Sequence, residues 1–188
     1  TLIFYTNGLL GSRKSQTYSN FNDFMYNLSY WSSWSNGFNI WKSEFDKIDK
    51  NLKLNKLFPH TSLFLTQHQA KLFCINDNLL FDVQRIPKRG GHNKFEAFTI
   101  EYPSLLDECC KKGHISTKCK KHILFGIMVQ FLPSLLFNKY IIRIETFDDT
   151  GFRNNLKKYY PSYAYWLVLI SVLGVPFRLF CRKLKNKR

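Results

Sequence analysis

A chain of 188 residues with 28 Lys and Arg against 13 Asp and Glu carries a formal charge of +15 and a pI near 9.7. The length suits one domain with a small appendage and can bury a real core. Its 17% aromatic content excludes a disordered basic tail, while 9 Gly, 5 Cys and the lack of a heptad run exclude collagen-like, disulfide-dense and coiled-coil classes.

Residues 1–5 read as a short strand and Asn7-Gly8 as a tight turn, so a hairpin is expected with a weak second arm at Leu9-Leu10. The spacing of Phe21, Phe24, Met25 and Leu28 predicts a helix. Ser32, Ser33, Ser35 and Gly37 end it and leave Trp31, Trp34 and Trp41 in a Ser-rich loop. That loop reads first as the cover of an aromatic core patch and second as a Trp belt at a membrane interface.

Residues 43–57 form a basic amphipathic segment that Pro59 ends. Short β-rich runs follow at 61–65, 71–75, 79–86 and 94–102, separated by polar turns at 76–78 and 87–93; they predict an antiparallel meander of three or four strands. Residues 123–138 are uncharged but include Pro133, and read as a buried or half-inserted helix. Residues 139–147 alternate like a strand, and Asp148-Asp149-Thr150-Gly151 reads as a turn.

Residues 159–177 contain no charge. Desolvating a charge at a bilayer centre is costly, so an uncharged run between basic clusters predicts a membrane span. Tyr163 and Trp166 occupy the aromatic-belt position, Leu167, Leu169 and Val172 the apolar centre, and Pro176 a kink. Lys157 and Lys158 before the run, and Arg178, Arg182, Lys183 and Lys185 after it, are the expected contacts to anionic lipid or another polyanion. The opposing reading is a buried C-terminal core helix. The expected fold is therefore α+β: a small antiparallel β-meander, aromatic-rich helices and a C-terminal hydrophobic transmembrane helix. Its divisions fall at 1–122, 123–158 and 159–188.

Cys110, His114, Cys119 and His122 make the densest set of metal-ligating types, and two thiolates with two imidazoles satisfy tetrahedral zinc. Their spacing matches no standard zinc pattern, and the surrounding lysines repel a cation. A basic surface loop with one buried Cys is the leading reading, with zinc and a disulfide behind it, so no cofactor is expected. There is no Walker loop, no G-x-S-x-G elbow and no H-E-x-x-H, so no enzyme activity is expected either.

Three alanines amid many Phe, Tyr, Ile, Asn and Lys point to an AT-rich genome, and part of the lysine excess is codon drift. These features together predict a non-catalytic accessory subunit of a larger membrane-bound complex. Its partners would be other protein subunits and membrane lipid, and the mitochondrial inner membrane is the first candidate location. The runner-up is a mitochondrial ribosomal protein binding rRNA through its lysine-rich loops.

Overall fold

The structure is a computed structural model that describes residues 1–35, 37–82 and 93–185, with side chains through Cys181. In chain order its elements are β1 (Leu2–Tyr5), β2 (Ser15–Tyr18), α1 (Phe21–Leu28), β3 (Phe38–Asn39), α2 (Lys42–Phe45), α3 (Pro59–Leu65) and β4 (Phe73–Asn76). There follow α4 (Lys94–Glu96), α5 (Tyr102–Lys111), α6 (Thr117–Gly126), α7 (Leu132–Leu136), α8 (Phe152–Tyr159), α9 (Ala164–Val172) and α10 (Val175–Lys185). Wide π turns at Ala97–Glu101, Ile127–Phe131 and Phe137–Ile141 continue the neighbouring helices, so that one helix runs from Thr117 to Ile141. The chain forms two compact units, Thr1–Gln84 with Ser104–Ile123 and Arg85–Pro103 with Leu124–Arg188.

The first unit is built on a four-stranded mixed sheet ordered β2-β4-β1-β3. Its central pair, β1 and β4, is parallel, with Leu2 opposite Phe73 and Phe4 opposite Ile75; β2 and β3 flank it antiparallel. Alternation along both central strands puts Leu2, Phe4, Phe73 and Ile75 on one buried face. The helical stripe Phe21, Phe24, Met25 and Leu28 of α1 is buried too. Phe64 of α3 joins them, with ring centroids 5.4 Å from Phe4 and 5.9 Å from Phe24, while Phe24 lies 5.3 Å from Phe73. Asn20 caps α1 by accepting from the Asp23 N–H at 2.8 Å.

Among its described residues the second unit has helices and no strand, with an irregular stretch at 142–151. Phe95 packs on Phe152 at 4.5 Å and on Phe147 at 5.5 Å, and Phe98 packs on Phe131 at 4.0 Å. The buried Tyr160 hydroxyl donates to the Phe98 carbonyl at 2.7 Å. Lys94 pairs with Glu145 at 2.8 Å while its ammonium sits 4.6 Å over the Phe147 ring.

The α+β class stands with a small sheet, but the meander does not. Among the described residues only the second of its four expected strands survives, as β4. Residues 61–65 belong to α3, where Pro59 opens the helix, since its missing N–H is unneeded in a first turn. Residues 94–102 are helical: their alternation overlaps a helical stripe, Phe95, Thr99, Tyr102, Leu106 and Cys109, all buried. Leu79 to Asp82 form no strand, and 83–86 lie outside the described residues, as do 87–92 of the second expected turn.

Asn7 and Gly8 both take the left-handed φ of a tight turn, 50° and 77°, yet no hairpin follows, because Leu9 and Leu10 remain in turn conformation and β1 pairs with β3 and β4. The basic segment 43–57 is helical only through Phe45. Residues 139–147 complete a helix at Ile141 and then run without pairing, past an Arg143 at φ 59°. Residues 159–177 are not one helix: Tyr159 ends α8, and α9 and α10 follow as a broken pair bent by 53°.

Candidate functional site

The strongest surface feature of the second unit lies on α8, α9 and α10. Gly151, at φ 76°, turns the chain into α8, which buries Phe152 and Leu156 and leaves Arg153, Lys157 and Lys158 exposed. In the next helices Ala164, Val168 and Val175 are buried. Tyr163, Trp166, Ile170, Leu173, Phe177 and Phe180 are all exposed, Leu173 at 81% and Phe177 at 70%. Their intervals of three and four residues keep them on one side of each helix, as a ridge. Transfer of each such side chain out of water is worth roughly 1–3 kcal/mol, depending on how completely it is covered.

The bend in the ridge has a local cause. Pro176 cannot donate a helical hydrogen bond. The end of α9 tightens instead, with Leu173 N–H donating to Ile170 and Gly174 N–H to Ser171, at 3.1 and 3.2 Å. Arg178 folds back and donates to the Ser171 carbonyl at 3.4 Å, placing its cation at the C-terminal end of α9. A Cβ on Gly174 would stand 3.2 Å from the same guanidinium, so glycine there lets Arg178 approach.

Most of the expected anchor residues gather here. Tyr163, Trp166 and Pro176 are exposed and Leu167, Leu169 and Val172 half-buried; Lys157 and Lys158 are exposed and Arg178 half-buried. The side chains of Arg182, Lys183 and Lys185 lie outside the described residues. A straight span is not what these residues build: α9 and α10 are about 14 and 16 Å long at 1.5 Å per residue, against a bilayer core of about 30 Å. The one single described helix long and apolar enough to cross is Thr117–Ile141, 56% of whose apolar window is buried inside the protein; Ala164–Val172 and Val175–Cys181 pass the same test of length and composition only when the bent pair is taken together as one broken span or re-entrant turn. By length and composition either is weak evidence for a span.

The Cys and His residues do not converge. Cys110 lies 3.7 Å from the Thr117 hydroxyl, whereas the buried Cys119 contacts the Asn22 carbonyl at 3.6 Å. His114 stacks on His68 at 3.5 Å and His122 on Tyr26 at 4.0 Å. Among the described residues no group of three or more His, Cys, Asp or Glu could hold a metal ion. Burial, with the Cys110 thiol beside it, pushes Cys109 up to about 12, far from a reactive thiolate. Among the nearby lysines, Lys111 and Lys120 share Asp107 at 2.9 and 2.7 Å.

Two features escaped the sequence reading. The ridge extends to Phe180, beyond the uncharged run, and the interval pattern from Tyr163 onward was the signal for it. Asp77, read as part of a turn, is a fully buried carboxylate that collects the Thr6 hydroxyl at 2.5 Å, the Ser12 hydroxyl at 2.9 Å, and the Leu10, Ser12 and Arg13 N–H groups at 2.7–3.0 Å. No sequence pattern marks it. Comparison with protein-family models, curated proteins and solved structures finds no match to this chain.

Proposed function

We propose that this chain is a non-catalytic accessory subunit of a membrane-bound assembly, seated on the bilayer by the ridge of α9 and α10. The observation that carries the reading is the exposed ridge of Tyr163, Trp166, Ile170, Leu173, Phe177 and Phe180, with the Arg153 guanidinium 6.0 Å from the Trp166 ring and Lys157 and Lys158 exposed further along the same helix as Arg153. Contiguous apolar surface of that kind mostly marks an interaction site, and cations at its border suit anionic headgroups. The non-catalytic part rests on the sequence, which carries no catalytic signature. The mitochondrial inner membrane remains the favoured location on composition.

Sedimentation of native membranes washed in high salt tests the anchor, and purification in mild detergent identifies the companions. Retention in the membrane pellet, insensitive to RNase, with a reproducible set of co-purifying subunits is the expected result. Release into the soluble fraction would overturn the anchor. RNase-sensitive sedimentation with ribosomal subunits would replace the whole reading by the rRNA-binding one.

A further inference from the structure

Beside the ridge, an apolar groove of about 380 Å³ opens between the Leu132–Ile141 stretch of the long helix and α9. Its size falls in the range of small-molecule sites. Leu136, Phe152, Leu169 and Val172 line it, and Ile141 and Leu173, both exposed, stand at its mouth. The one acid in the lining is Asp149, and it is matched within the unit: Lys139 donates to it at 2.8 Å and the Tyr140 hydroxyl donates to it as well. At another point Tyr165 lines the groove, and the Arg153 guanidinium sits 5.2 Å from its ring and 6.0 Å from that of Trp166. Lys157 is exposed one turn further along α8.

An apolar slot with a cation at its rim complements a molecule that is apolar along its length and anionic at its head. The groove is also continuous with the ridge, since Leu173 belongs to both. We infer that this groove holds one acyl chain of an anionic membrane lipid, with Arg153 and Lys157 facing the headgroup. This rests on the membrane reading above and names the ligand class of the same surface. The occupied groove would fix one lipid per chain, where the ridge alone makes only a fluid contact.

The test uses the full chain on phosphatidylglycerol–phosphatidylcholine vesicles, re-solubilised in mild detergent and weighed by native mass spectrometry. One phosphatidylglycerol retained per chain is the expected result. Val172→Trp fills the groove and should cut the retained fraction at least tenfold. Ile141→Glu, at an exposed mouth position that does not burden folding, should do the same, with an unchanged melting temperature as its control. Arg153→Gln should lower phosphatidylglycerol retention and leave phosphatidylcholine unchanged.

Vesicle binding without any retained lipid would overturn the groove and leave the anchor standing, whereas no vesicle binding would overturn both. Equal retention of both lipids, or retention untouched by Val172→Trp and Ile141→Glu, overturns the assignment. So does displacement of the lipid by a partner protein's segment when the chain is isolated from native membranes.

Discussion

Replacing Asp77 by Asn removes one anion from the first unit while preserving its shape. The carboxylate accepts five hydrogen bonds, two on Oδ1 from Thr6 and Leu10 and three on Oδ2 from Ser12 and Arg13, all between 2.5 and 3.0 Å. An amide can present an acceptor at only one of those positions; at the other its NH2 can donate to the Thr6 or Ser12 hydroxyl, which turns to accept, but one or two backbone N–H groups lose their partner whichever way it turns. Hydrogen bonds to an ionised group are worth about 1.5–3 kcal/mol each, and their losses overlap within one cluster; a total near 3 kcal/mol follows. For a chain of this length that corresponds to a fall of roughly 6–12 °C in melting temperature.

The pH dependence gives a second, sharper reading of Asp77. Burial by itself would raise its pKa, but the bonds from Thr6, Leu10, Arg13 and Ser12 outweigh it and hold the group below the ordinary carboxylate range. A depressed folded value means that the stabilisation is complete above the unfolded pKa of about 4 and is lost as pH falls through the folded value. The gap between parent and Asp77→Asn, followed by thermal melts monitored by circular dichroism, should be full at neutral pH and close in acid. A gap of the same size at both extremes, or none at neutral pH, would refute the role given to the charge.

Gly37→Ala should cost about 1–3 kcal/mol, because a Cβ there collides with the fully buried Phe4 ring; an unchanged urea midpoint would contradict the packing. Burial, then the neighbouring His68 and Lys112, hold His114 below its ordinary value, so its contribution to stability is intact above about pH 6.5 and declines as pH falls toward the folded value. His114→Phe keeps a flat ring on His68 and should reduce the slope of the melting temperature between pH 5 and 7, leaving the part contributed by His122, which burial also holds low. Leu173→Ser combined with Phe177→Ser should weaken binding to anionic vesicles by about tenfold or more in a flotation assay, with no loss of thermal stability, since both side chains are exposed. Tyr160→Phe removes the bond to the Phe98 carbonyl and should lower stability by about 1 kcal/mol by the same melts.

Sequence periodicity found elements where one face alone decides burial. The stripe of α1 and the short strand at residues 1–5 stand as read, because each packs a single side against the aromatic cluster around Phe64. It failed where the chain is short, aromatic and buried at close intervals. Phe95, Ala97 and Thr99 satisfy a period of two, and only the continuation to Tyr102, Leu106 and Cys109 reveals the helix. Strand pairing was not legible at all: the partner of β1 is set by residues about seventy positions away, and no turn chemistry announces it. At the candidate site, composition located the apolar run and its basic borders. Which side chains face outward depends on the burial of Ala164, Val168 and Val175, a tertiary fact.

The parallel pairing of β1 with β4 has a consequence for biosynthesis. β1 sits at the centre of the sheet, yet its neighbours are supplied by Phe38–Asn39 and Phe73–Asn76. At cellular elongation rates of about 5–20 residues per second, roughly 4–14 s separate the appearance of Leu2 from that of Phe73. Throughout that interval Leu2 and Phe4 have no β4 to share a buried face with, and one edge of the strand is open to any passing chain. A central strand of the first unit is therefore the one that waits longest for its full set of neighbours, and a nascent chain stalled before residue 73 leaves that edge open.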